Sequence, residues 1–197
     1  MILILAVAAG LLTGLLRASL TGRRLQVSDL RLMWLVPAAF LPQFFVFGLP
    51  SLRGLPDTLV AATLVSSQFL LLIFAWANRN HPGFWFLALG LTLNLAVIAL
   101  NGGFMPISPE TIARLVPDAG PGDWRIGERL GTSKDIVLPY NSMKLWLLSD
   151  RFLLPDWVSY RVAFSLGDIL IAAGAFWFFL AHSGEQQPAS ERLIDGG

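Results

Sequence analysis

The sequence predicts an all-α fold, an integral membrane helical bundle of about five transmembrane helices with a long extracytoplasmic loop that carries short interfacial helices. Three observations predict it. Of the 197 residues, 55% are hydrophobic and only 14% charged, against about 25% charged in an ordinary soluble domain. Several apolar runs approach the roughly 20 residues that a helix rising 1.5 Å per residue needs to cross a hydrocarbon core of about 30 Å. Seven Trp and fourteen Phe suit a lipid-facing or interfacial surface. A soluble domain of this length would still need a polar skin, which long stretches here lack.

The first span is expected over residues 1–20, with Arg17 snorkelling from an apolar run that starts at Met1. No basic residue precedes that run, so a signal peptide is not expected. The second span, 32–49, contains Pro37 and Pro42, which remove backbone donors and kink a helix but are tolerated in bundles. The third, 58–77, follows Asp57 as N-cap, and the fourth, 84–100, follows Pro82-Gly83. The fifth covers 163–182 and leads into a polar tail, 183–197, expected to be disordered. Residues 1–182 thus form one transmembrane domain.

Between spans four and five lies the loop 101–162. Ser108-Pro109-Glu110 reads as an N-cap with proline at the first helical position, opening a short helix through Val116. Ser142 likewise caps an expected helix from Met143 to Phe152, which would put Leu145, Leu148 and Phe152 on one face in the headgroup zone or against the bundle. Arg17, Arg23, Arg24 and Arg31 flank the first connection, against Arg53 alone in the second. By the positive-inside rule the first connection is cytoplasmic, the N-terminus outside and the tail inside the cell.

Composition removes function classes. A net charge of +1 is too small for nucleic acid. The absence of cysteine excludes disulfides, thiolate metal sites, iron–sulfur clusters and cysteine nucleophiles. His81 and His182 stand apart in different segments, so no metal and no cofactor is expected. The stretch GERLGTSK, Gly127 to Lys134, lacks the ending of a phosphate-binding loop and a strand before it.

Asp168 is the acidic residue inside an expected span, where a carboxylate costs about 2.5–3.5 kcal/mol on insertion scales. It reads as a proton or cation site or a partner for Arg161, or else as the closing residue of a capping box, Ser165-Leu166-Gly167-Asp168, that complements the helix dipole. Asn94 and Asn101 share one helical face in span four. Gln43 and Gln68, in spans two and three, are expected to pair with them, as helix glue or along a substrate path, at about 0.6–2 kcal/mol per bond. Small residues at close-packing spacing, Gly10 with Gly14, Ala62 with Ser66 and Gly167 with Gly174, allow helices to approach within one chain or between subunits. In the loop, Lys134, Asp135, Tyr140, Lys144, Asp150 and Arg151 could be assembled into a site, but their spacing matches no catalytic motif, and solvated ion pairs are the plainer role.

The apolar opening that ends in Gly14-Leu15-Leu16-Arg17, followed by Gly22 and Leu25, the turn Asn101-Gly102-Gly103-Phe104-Met105-Pro106, Leu148-Ser149-Asp150, and Ser165-Leu166-Gly167-Asp168 together resemble a bacterial membrane family known as domain of unknown function 5317. The resemblance implies a multi-span bacterial membrane protein and brings no reaction, substrate or catalytic residue with it. The leading expectation is a non-enzymatic protein that binds a membrane lipid, a second membrane protein or a second copy of itself. The alternatives are a small transporter or lipid translocator using Asp168 with Asn94 and Asn101, and an interfacial enzyme dependent on Lys134 or Asp150.

Overall fold

The computed structural model describes residues 10, 12, 13, 16, 19, 30–117, 122–155, 157, 158 and 160–182. The tail 183–197 and most of the expected first span, Gly14 and Arg17 included, lie outside them. The fold is mostly helical. In chain order it has α1 (Leu35–Gly48), α2 (Asp57–Ala77), α3 (Phe84–Leu100), a short α4 (Pro109–Leu115) and α5 (Leu166–His182). The described residues between 10 and 19 are helical as well.

Punctuation in the sequence sets most of these boundaries. Pro37 falls in the first turn of α1, where a missing N–H costs nothing, whereas Pro42 lies inside the helix. Gly83, at φ 82°, turns the chain into α3. Ser108 caps α4 as its sequence predicts, its hydroxyl accepting from Thr111 N at 3.1 Å. At α2 the expected cap is displaced. Asp57 is the first helical residue, Pro56 holds the cap position without a side-chain bond, and the Asp57 carboxylate pairs instead with Arg129 Nε at 2.7 Å.

Helix α1 packs on α2, α2 on α3, and α3 on α5. The α3–α5 contact is antiparallel and built on glycine. A Cβ at Gly90 would lie 2.5 Å from the Gly167 carbonyl oxygen, and one at Gly174 would lie 2.6 Å from that of Gly83. The Gly167–Gly174 spacing therefore brings two helices of the same chain together. Gly10 likewise sits against Phe176 and Phe179 of α5, while Ala62 and Ser66 are exposed. The bundle core joins Ala39, Leu71, Ala75, Phe84, Leu91, Ile171 and Phe178, with the Phe84 and Phe178 rings edge to face at 5.3 Å.

The all-α expectation is amended in the loop 101–162, which folds into a cap over the helix ends. Gly102 and Gly103, both at positive φ, carry the backbone out of α3 into β1 (Met105–Ile107), which pairs in parallel with β2 (Asp135–Val137), Met105 opposite Asp135. On the other side of β1, Asp150 N donates to Pro106 O at 3.2 Å. Then β3 (Phe152–Leu153) pairs antiparallel with β4 (Ala163–Phe164) just before α5. Ile107, Ile112, Val137 and Ala163 give this cap a core of its own.

The expected helix from Met143 to Phe152 does not form. Leu145 takes a left-handed conformation, φ 55° and ψ 45°, a single 3-10 turn covers Trp146–Leu148, and the chain then extends into β3. Pairing with β1 and β4 satisfies this backbone better than an isolated short helix would. Asp57–Ala77 is the described helix both long and apolar enough to cross a membrane; α1, α3 and α5 run 14, 17 and 17 residues.

Candidate functional site

At the loop end of the bundle the antiparallel α3 and α5 bring Asn94 beside Asp168. Asn94 Nδ2 donates to Asp168 Oδ1 at 2.8 Å, and the Ser165 hydroxyl donates to Asn94 Oδ1 at 2.9 Å. Ser165 and Asp168 form the capping box: Asp168 N donates to Ser165 Oγ, and Ser165 N to Asp168 Oδ2, each at 3.0 Å. Gly167 makes the approach possible, because a Cβ there would overlap the Asn94 amide oxygen. Ser165 has no exposed surface.

Next to this triad the cap contributes Lys134, Asp135 and Asp150. Strand β1 is the frame: Met105 N donates to Lys134 O at 3.1 Å on one side, and Asp150 is bridged to Ile107 on the other. Lys134 Nζ lies 2.5 Å from Asp150 Oδ2 and 3.4 Å from Asp135 Oδ1. Asp150 is 1% exposed, whereas the Lys134 side chain keeps 38% of its surface. Burial pushes the Asp150 carboxyl well above the ordinary carboxylate range, more than the Lys134 ammonium pulls it down. Burial works against the Lys134 charge, but Asp150, Asp135 and Asp168 outweigh it and hold its pKa above that of an ordinary lysine.

A cavity of about 450 Å³ runs from this cluster along the bundle between α1 and α5, floored by α2 and α3. Gln43, Gln68, Asn94, Lys134 and Asp168, all selected from the sequence, line it together. The rest of its described lining is apolar, including Phe40, Leu71, Leu87, Leu91, Phe164 and Ile171. Gln68 Oε1 is buried and accepts no hydrogen bond among the described residues.

Two expected pairings are replaced. Asn101 is not met by the glutamines: its Oδ1 accepts from Lys144 N and its Nδ2 donates to Lys144 O, both at 2.9 Å, so it latches the cap to the end of α3. Arg161 is not the partner of Asp168, since its guanidinium donates to Arg114 O at 3.2 Å. Asn94 is met by Asp168 and Ser165 rather than by Gln43 or Gln68. The SxxD pattern revealed the cap, but nothing in it announced an amide partner 74 residues earlier in the chain.

Chemically, this is an apolar chamber with a hydrogen-bonding end, suited to holding an apolar chain by burial and its head by polar contacts. A family model described as a family of unknown function (DUF5317) matches residues 28–180. A protein of Thermotoga maritima, described as uncharacterized, is 28% identical over 142 residues, covering 69% of this chain and 73% of that one. No solved structure matches.

Proposed function

The chain belongs to this family of unknown function, DUF5317, and from that premise we propose that it is a non-enzymatic bacterial membrane protein that binds a lipid-like amphiphile in the cavity between α1 and α5. The cavity carries the reading. Its volume of about 450 Å³ falls among the roughly 300–1,000 Å³ of small-molecule sites, and its polar groups converge at one end, as such sites require.

Apolar outward faces support placement in a bilayer. Phe44, Leu59, Phe69, Trp85, Leu89 and Trp177 are each about half exposed or more, and helices that are apolar all round need lipid or protein on every side. Aromatic and cationic groups gather at both ends, as at membrane interfaces. Trp76 and Trp85 meet edge to face at 5.7 Å, with Arg79 5.0 Å from the Trp76 ring, at one end. Tyr140, Trp146 and Arg151 do the same in the cap. In this reading the chain spans about five times, N-terminus outside and tail in the cytoplasm. The 17-residue helices, about 26 Å long, are accommodated by flanking apolar residues and local thinning.

Translocation along α3 finds less support than binding. Asn94 and Asp168 spend hydrogen bonds on each other and on Ser165, and Asn101 spends its amide on the backbone of Lys144. The test is to extract the tagged protein from its host directly into lipid nanodiscs and identify by mass spectrometry what stays bound. One lipid or small amphiphile per chain, lost from Ala75→Phe, supports the reading. A stoichiometric protein partner with an empty cavity would instead make this an accessory subunit.

A further inference from the structure

The polar end of the cavity is short of hydrogen-bond donors. Among the described residues three buried side-chain oxygens accept no hydrogen bond: Gln68 Oε1, Asp150 Oδ1 and Asp135 Oδ1. Gln68 lines the cavity, and so does Lys134, the cation that Asp150 and Asp135 hold between them at 2.5 and 3.4 Å. Asp168 is the carboxylate of the described lining itself, and Asp150 and Asp135 stand behind Lys134. Against three carboxylates there is one ammonium, so the cluster carries no surplus positive charge even with one carboxyl protonated.

We propose that the cavity selects a single-chain amphiphile whose head donates hydrogen bonds and bears no negative charge, a hydroxyl or ammonium head in preference to a carboxylate or phosphate. The inference rests on the reading of the cavity as a ligand site and specifies its ligand. The chain lies along the apolar walls of Phe40, Leu71, Leu91 and Ile171, where burial provides affinity without specificity. The head meets acceptors: the unpaired Gln68 oxygen and the outer lone pairs of Asp168, each carboxylate oxygen of which uses one protein donor. An anionic head would find like charge there, and a single ammonium already shared by two carboxylates. Burial in a medium of low dielectric sharpens that discrimination.

The experiment compares three probes that share one chain and differ in the head: palmityl alcohol, palmitylamine and palmitate, each isotope-labelled and added at neutral pH to the full chain in nanodiscs of zwitterionic lipid. Binding is read as labelled ligand retained per protein. The alcohol and the amine are expected at one per chain, about tenfold or more tighter than palmitate, and Gln68→Leu should weaken the alcohol several-fold while leaving palmitate unchanged. Ala75→Phe, which fills the chamber from α2, should abolish retention; Ala175→Phe on the α5 wall replaces it if the first variant does not fold.

Palmitate bound as tightly as the alcohol, and lost with the filled chamber, overturns the head selectivity and leaves the cavity as a ligand site. Probes that fail to bind, or bind equally well to the filled chamber, overturn both.

Discussion

Asn94 and Asp168, 74 residues apart in the chain, are joined by an amide-to-carboxylate hydrogen bond of 2.8 Å between α3 and α5. Ser165 stands behind both, giving its proton to Asn94 and accepting the Asp168 N–H. The carboxylate inside an apolar helix is thereby accommodated by the first-turn dipole and by a hydrogen-bond donor at each of its oxygens.

Ser165→Ala should cost more than an ordinary cap. The cap alone is worth about 0.5–2 kcal/mol, and the Asn94 oxygen also loses its donor in a site with no exposed surface. The same substitution made in an Asn94→Leu background, where that bond is already absent, is the comparison. Thermal unfolding in one detergent should show the larger loss from Ser165→Ala when Asn94 is present; equal losses in the two backgrounds would mean that the Asn94 bond contributes nothing.

Lys134→Met should destabilise by removing the cation from a carboxylate that is 1% exposed. Breaking a buried pair typically costs about 3–5 kcal/mol. The lower end is expected here, because Lys134 retains 38% side-chain exposure and solvent screens its charge. The double variant Lys134→Met, Asp150→Leu should recover most of the loss, and a double-mutant cycle with no coupling would contradict the pairing.

The pH profile follows from the sign of the Asp150 shift. Its folded pKa is raised above the unfolded value of about 3.9 by burial, which exceeds the lowering by Lys134. The folded state therefore holds the proton more tightly, and the contribution is full below the unfolded pKa and lost as pH rises through the folded one. Denaturation midpoints of the wild type should fall relative to those of Asp150→Asn as pH rises from the ordinary carboxylate range. Parallel profiles would show that Asp150 titrates normally. Lys134, also raised, keeps its contribution throughout this range.

Gly90→Ala should loosen the bundle. Its Cβ would meet Gly167 O at 2.5 Å and Ile171 Cγ1 at 2.8 Å, overpacking of a kind that costs about 1–3 kcal/mol. Gly54→Ala, with nothing within 4 Å of the added Cβ, should stay within about 0.5 kcal/mol of wild type. Comparable melting of the two variants would show that α3 and α5 do not rely on close approach.

The cysteine-free chain allows topology to be read with single substitutions at exposed sites. Ser142→Cys in the cap and Arg53→Cys should react with a membrane-impermeant maleimide in intact cells, and Asn80→Cys should react after lysis only. Labelling of Asn80→Cys with Ser142→Cys protected would invert the orientation; equal labelling of all three would remove the bilayer from the account.

The sequence by itself determined where the long described helices lie. The expected 58–77 and 84–100 lie within a residue of α2 and α3, because run length, proline and glycine act over a few residues. The Ser165–Asp168 box and the Ser108 cap were legible for the same reason. The segment Met143 to Phe152 departs from the expected helix because helical spacing of Leu145, Leu148 and Phe152 is also compatible with a chain whose backbone partners are strands outside the segment.

Only the tertiary structure decided what the polar residues do. Lys134 meets Asp150 because β1 is paired on both of its sides, and Asn94 meets Asp168 because glycines let two helices cross within reach of an amide. Gln43, Gln68, Asn94, Lys134 and Asp168 come from three helices of the bundle, a fourth and a loop, and converge on one cavity. Hydropathy is a sum along the chain and survives without neighbours, whereas a hydrogen bond needs a partner at about 3 Å, and folding alone sets that distance.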